Sequence, residues 1–241
     1  MNRQSNIYTV VYASVLVLVV GVVLSVVYQA LRPRQLENID NDTKKQILLA
    51  ARITAEPGES IGDLYAAHIT DEYIVDSEGK KVDNGVDAFK VNVGSEVKKP
   101  ASERLLPVFV CRTSAGEKYI LPCYGAGLWG PIWGYVAFDS NGDTIYGAYF
   151  AHQGETPGLG AEIEKPAFST QFDGKNVFSK SGDFQSVEVV KTGQEPADRS
   201  YVHAISGGTI TSQGVSRMLQ NSLEPYAAFL KSLQNTTNDK N

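Results

Sequence analysis

Gly134-Tyr135-Val136-Ala137-Phe138-Asp139 and Thr144-Ile145-Tyr146-Gly147-Ala148-Tyr149-Phe150, joined by Ser140-Asn141-Gly142-Asp143, decide the fold. Both flanks are rich in β-branched and aromatic residues. The linker carries Asn-Gly, the dipeptide that accepts positive φ most readily. The pair predicts a β-hairpin and therefore an antiparallel sheet. Upstream, Leu106–Arg112 and Lys118–Cys123 predict a second pair of strands around Ser114-Ala115-Gly116-Glu117. Centred on that turn, Cys111 faces Ile120, so the register does not bring Cys111 and Cys123 together for a disulfide.

Helices surround these strands. Asn41-Asp42 predicts the cap of a helix through about Ile53, with Ile47, Leu48, Leu49 and Ile53 as a partial apolar face and Pro57-Gly58 as its stop. A short helix is expected near Ile61–His68. Residues 72–100 read as loose strands and loops. Pro157-Gly158 predicts the start of a helix near Leu159–Ser169, and Ser186–Lys191 reads as a further strand. A last helix begins after Thr209, with Val215, Met218, Leu219 and Leu223 on one side. Glu224-Pro225 bends or restarts it, and the polar tail from Gln234 frays. No internal repeat is present. The sum is α+β: a mixed domain with an antiparallel sheet over residues 35–241, entered by a linker from Arg32 to Asp40.

Residues 1–34 are different in kind. Ile7 to Leu31 contains no charged residue and is dense in Val and Leu. At about 1.5 Å per residue it spans the roughly 30 Å hydrocarbon core of a bilayer. It exceeds the roughly 7–15 residues of a signal peptide's apolar region, and no small-x-small cleavage site follows. The expectation is a retained N-terminal transmembrane anchor. Arg3 precedes it, and Arg32, Arg34, Lys44 and Lys45 follow, so charge bias alone places the large domain on the cytoplasmic side.

After residue 34, the remaining 19 basic residues face 27 acidic ones, a net charge of about −8. This excludes nucleic acid as an expected partner. Two cysteines and three histidines (His68, His152, His203) show no metal-ligand spacing. No nucleophile triad, paired glycosidase-like carboxylates or dinucleotide-binding GxGxxG in a βαβ setting can be assembled.

Three runs carry the chemistry that remains. Ser206-Gly207-Gly208-Thr209 puts a hydroxyl on a glycine turn at a helix start. The free first-turn amides there suit a phosphate, and the same run also reads as an ordinary N-cap. Thr211 is the neighbouring hydroxyl, read as a capping residue. His152-Gln153-Gly154-Glu155-Thr156-Pro157-Gly158-Leu159-Gly160 reads as a strand-to-helix turn. Gly127-Leu128-Trp129-Gly130 and Ile132-Trp133-Gly134 set two indoles in a glycine-rich turn, either walls of a pocket or parts of a core or of a contact with another protein chain.

Taken in chain order behind a membrane helix, residues 127–134, 152–160 and 206–209 resemble NqrC, a component of the Na+-translocating NADH:quinone oxidoreductase, whose FMN-binding domain is shared with the RnfG component of the Rnf complex. The resemblance covers nearly the whole chain, and the Gly-Leu-Trp run is more similar to NqrC than to RnfG. It implies FMN held by a phosphoester to Thr209, made by a flavin transferase that consumes FAD. Ser206, Gly207 and Gly208 match the family's run before that Thr, and the two glycines would give clearance for the transferase and the flavin. Glu155, Thr156 and Leu159 would lie beside the isoalloxazine, with Trp129 as a wall. It implies an electron-carrying subunit between NADH and ubiquinone or menaquinone, coupled to Na+ export and inactive alone. The expected partners are NqrA, NqrB, NqrD, NqrE, NqrF and the transferase. It places the soluble domain on the periplasmic side of a bacterial inner membrane, against the charge bias. His203 stands where that family usually has Asp, six residues before the modified Thr, and slower flavinylation is the expectation. The rivals are RnfG of a ferredoxin:NAD+ oxidoreductase, with the same cofactor, and a cofactor-free anchored assembly module.

Overall fold

The computed structural model of the chain describes residues 6–238. Two compact units divide it, Met1–Thr43 and Lys44–Asn241. Arg3, counted above as a flanking charge, lies outside the described residues.

The first unit consists of most of helix α1 (Asn6–Ala50). Its apolar stretch is long enough to cross a bilayer by length and composition, and none of it is buried against protein. The linker expected at Arg32–Asp40 and the cap expected at Asn41-Asp42 are both helix instead. Pro33 sits inside and removes one backbone hydrogen bond. No second breaker follows before Arg52. There φ turns to 61°, and the Arg52 and Ile53 amides donate to the carbonyls of Leu49 and Leu48, closing the helix in a left-handed turn.

In the second unit come α2 (Ile61–His68), β1 (Ile69–Val75), β2 (Lys81–Val82) and the single turn α3 (Val93–Glu96). Then follow β3 (Leu106–Thr113), β4 (Gly116–Ala126), β5 (Pro131–Asp139) and β6 (Ile145–His152). The chain ends in α4 (Pro166–Ser169), β7 (Glu188–Val190), β8 (Tyr201–His203), α5 (Thr209–Leu223) and α6 (Ala227–Asn238). Six strands form one antiparallel sheet in the order β2-β1-β3-β4-β5-β6. Separately, β7 and β8 form a two-stranded parallel pair; β8 had no counterpart in the sequence reading.

The sheet has two buried faces. On one, Leu121, Cys123, Ile132, Val136 and Phe150 pack with Val215, Met218 and Leu219 of α5 and Phe229 and Leu230 of α6. On the other, Phe109, Cys111, Ile120 and Ala137 meet Ile47, Leu48, Ala50 and Ala51 from the end of α1. Ser222 Oγ accepts the Tyr124 amide at 3.1 Å and Tyr226 donates its hydroxyl to the Pro107 carbonyl at 2.9 Å, pinning the C-terminal helices to β4 and β3.

Three local expectations need correcting. The β3–β4 turn is tighter than read, so Thr113 pairs with Gly116 and Cys111 with Lys118, not Ile120. Both cysteines are free and lie on opposite faces of the sheet. Burial pushes the Cys111 thiol up to about 11 and that of Cys123 further. The helix expected at Leu159–Ser169 is broken into a 3-10 turn at Gly160–Glu164 and the single turn α4. Pro166 forces Lys165 into an extended conformation with ψ 144°, which a continuous helix cannot contain. The polar end expected to fray from Gln234 continues as helix α6 to Asn238.

Candidate functional site

Three separate segments converge at the end of the sheet where β4 and β5 turn. The first is that turn: the Gly127 amide donates to the Gly130 carbonyl at 2.8 Å, and Leu128 and Trp129 stand at its tip. Trp129 is 69% exposed. The second is the loop after β6. His152 Nδ1 accepts the Glu155 amide at 3.1 Å, which leaves the ring proton on Nε2, 3.7 Å from Glu164 Oε1. Glu164 Oε1 also accepts the His152 amide at 3.3 Å. Beyond it, Thr156 accepts the amides of Leu159 and Ala161 through its carbonyl.

The third segment is the entry to α5. Gly208 donates to the Ile205 carbonyl at 3.0 Å across a turn in which Gly207 has φ 75°. Positive φ at the third position of such a turn selects glycine. The N-cap of α5 is Gly208, with no side chain capping it. Ser212 Oγ instead accepts the Ile205 amide at 3.1 Å and donates to the Gly208 carbonyl at 2.9 Å. The first-turn amides of Thr209, Ile210 and Thr211 therefore face outward, with the positive end of the helix dipole behind them.

Glu155 ties the three together. Its side chain is buried; Oε1 accepts the Trp129 amide at 2.8 Å and Oε2 accepts the Thr211 hydroxyl at 2.6 Å. The packing is tight enough that a Cβ on Gly127 would meet Glu155 Oε1, and one on Gly160 would meet Glu155 Oε2 and Thr211 Oγ1. Thr211 is thus a buried partner of a carboxylate within the first turn, not the capping residue its position suggested.

Between the segments lies a cavity of about 250 Å³. Trp129, Glu155, Thr156, Leu159, Gly207, Gly208 and Thr209 line it, together with Leu128, Gly160, Ile210 and Thr211. Ser206 is exposed on the turn outside this lining. Trp133 also lies elsewhere: it points to the opposite face of the sheet and donates its indole N–H to Gln46 Oε1 at 2.8 Å. Nor do the two histidines reach the cavity. His152 is occupied in holding the Glu155 loop, and His203 is exposed at the end of β8, its Nδ1 3.8 Å from Glu195 Oε1. Among the described residues no group of side chains is arranged to hold a metal ion.

The cavity has a polar end and an apolar mouth. At the polar end, open helix amides surround Thr209, whose hydroxyl has no side-chain hydrogen bond among the described residues. At the mouth Leu128, Trp129, Leu159 and Ile210 expose their side chains. An anionic head with a flat apolar body fits this division. The cavity alone is smaller than a whole flavin, so the ring would extend over the exposed apolar rim. No base contacts the Thr209 hydroxyl, so esterification there calls for an outside catalyst. Two features escaped sequence reading: the bond from Glu155 to Thr211, 56 positions apart, and the walls supplied by Leu128, Gly160 and Ile210. No spacing rule pairs such distant positions; the clustering of glycines in all three runs was the only trace.

Comparison with known proteins follows the same three segments. The FMN-binding domain family matches residues 127–224, which contain all of them. The crystal structure of the NqrC component of the Na+-translocating NADH-quinone reductase from Parabacteroides distasonis is 50% identical, with a TM-score of 0.75, and covers 83% of this chain and 96% of that one. The corresponding protein of Vibrio anguillarum is 32% identical over 89% of each chain. That of Pseudomonas aeruginosa is 30% identical over 97% of this chain and 98% of its own.

Proposed function

The chain belongs to the NqrC family of the Na+-translocating NADH-quinone reductase, and from that premise we propose that it is the membrane-anchored carrier of a covalent FMN in such a complex. The observation that carries the reading is the Thr209 hydroxyl, free of side-chain partners among the described residues, at the open N-terminus of α5 beside an apolar rim. A separate flavin transferase would join the flavin phosphate to Thr209 Oγ, breaking the pyrophosphate bond of FAD and releasing AMP. The amides of residues 209–211 hold its charge, and the helix dipole favours it.

Bound FMN supplies one-electron transfer; the protein positions it and sets its surroundings. Leu159 and Trp129 would cover the ring, Thr156 would hydrogen-bond its polar edge, and Gly207 and Gly208 would leave room for the transferase. Glu155 acts indirectly, fixing Trp129 and Thr211 on either side of the cavity. This carrier would serve electron transfer from NADH toward quinone together with NqrA, NqrB, NqrD, NqrE and NqrF, coupled to Na+ export. The anchor holds residues 35–241 at the periplasmic face of the inner membrane. The Arg32–Lys45 charges oppose that orientation by the positive-inside rule, but the bias is small and acidic residues are interspersed.

The test is coexpression with a competent flavin transferase. Wild type should fluoresce on a denaturing gel under ultraviolet light and gain the mass of one FMN phosphoryl group. Thr209→Ala should lose both signals while keeping wild-type thermal stability. A dark, unmodified wild-type chain beside a labelled control flavoprotein would overturn the covalent reading and favour a cofactor-free assembly module.

A further inference from the structure

Among the described residues that line the cavity, Glu155 is the one charged side chain, and it is 4% exposed. Both of its oxygens accept hydrogen bonds, from the Trp129 amide at 2.8 Å and the Thr211 hydroxyl at 2.6 Å. That is the pattern of an ionised carboxylate, which only accepts. Among the described residues no Lys, Arg or His forms an ion pair with it. A buried charge without a counter-ion is costly.

The bracket across the cavity does not require that charge. A glutamine has the same length and shape; its amide oxygen can accept the Trp129 N–H, and its NH2 group can donate to Thr211 Oγ. What a glutamate adds is the negative charge itself. Thr211 lies in the first turn of α5, so the carboxylate already occupies the positive end of that helix, which offsets part of its burial cost. A second anion at the same helix end meets a like charge in a cavity that no Lys, Arg or His lines. Burial keeps solvent ions from screening the two from each other.

Such repulsion grades phosphates by their charge. A monoester carries about −1.5 to −2 at neutral pH, whereas a diester keeps a single acidic oxygen. We propose that Glu155 is a specificity-determining residue: its charge excludes free phosphate monoesters, FMN among them, so that a flavin phosphate is held at α5 only once it is bonded to the chain. This rests on the reading of Thr209 as the acceptor and adds a selector to it. The outward amides of α5 attract an anion, the carboxylate limits how much charge they accept, and esterification brings the phosphate within that limit. An unloaded domain then stays clear of free nucleoside and flavin monophosphates.

Fluorescence titration of the full-length Thr209→Ala chain in detergent, with FMN and with riboflavin, tests this without a transferase. The two ligands differ only in the phosphate. With Glu155 in place, FMN should bind no more tightly than riboflavin. Adding Glu155→Gln should tighten FMN about tenfold and leave riboflavin within about twofold. Thr211→Val, which loosens the bracket but keeps the charge, should give FMN no such advantage. The proposal is overturned if FMN outbinds riboflavin by about tenfold in Thr209→Ala alone, a comparison that stands even where Glu155→Gln fails to fold. It is equally overturned if a folded Glu155→Gln chain gains nothing for FMN or changes both ligands alike, since Glu155 would then be a bracket only. No transferase takes part, so the titration decides the role of Glu155 separately from the coexpression test of Thr209.

Discussion

Strand β5 ends in a tight turn at each side, and the two turns need their glycines for different reasons. At the β5–β6 end, Gly142 donates to the Asp139 carbonyl at 2.9 Å with φ 64°. Asn141 Oδ1 accepts the amides of Asp143 and Thr144 at 3.0 Å each. These bonds are made within the turn, while Asp143 Oδ1 accepts the more distant Val177 and Phe178 amides at 2.9 Å each. At the β4–β5 end, Gly127 has no left-handed backbone; its missing side chain makes room for Glu155 Oε1 and, 2.9 Å from where a Cβ would sit, Ile132 Cγ2. Both glycines make room for a distant element, the Leu230 carbonyl at Gly142 and the Glu155 carboxylate at Gly127, but only Gly142 is also held in left-handed backbone. The turn whose glycine serves close packing alone is the one that borders the cavity.

The sharpest way to break this contrast is to substitute the turn that is both left-handed and closely packed. Gly142→Ala forces a side chain into left-handed backbone and toward the Leu230 carbonyl of α6. It should cost about 3 kcal/mol, read as a Tm loss of about 6–12 °C, with flavin attachment intact in the folded fraction. Gly142→Asn refines it: Asn tolerates the backbone, so any cost it retains measures the approach of α6 alone. Gly127→Ala should cost less, about 2 kcal/mol, yet reduce flavin attachment severalfold, because the methyl displaces Glu155. Adding Glu155→Asp, whose shorter side chain withdraws the carboxylate, should recover part of the Gly127→Ala loss and none of the Gly142→Ala loss; additive effects in both backgrounds would end the comparison. The smallest effect expected is that of Thr211→Val, about 1.5 kcal/mol, from one lost hydrogen bond to a charged group. Chemical denaturation at neutral pH measures it.

The same contrast explains what the sequence revealed. The hairpin through Asn141-Gly142 could be read directly, as could α2 and the restart of helix at Glu224-Pro225, because each is written in adjacent residues. The continuous α1 could not be: Pro33 and the Asn41-Asp42 pair are real local stop and start signals, overridden because one missing hydrogen bond does not end a helix. The register at Cys111 was missed by two residues, since Ser114-Ala115 makes a tighter turn than the one centred a residue later. At the candidate site, the three runs were visible one by one. Their meeting point was not, because the bond from Glu155 to Thr211 and the withdrawal of Trp133 to Gln46 are products of tertiary packing.

The walls of the cavity lie in the chain in the order 128–129, 155–160 and 207–211. A growing polypeptide therefore has the first two walls long before it has the third, and Thr209, the proposed acceptor, belongs to the third. An unfinished or truncated chain carries no assembled acceptor site to present to a modifying enzyme. On the proposed covalent attachment, loading would follow folding in the order of biogenesis, and an attached flavin would mark a finished domain.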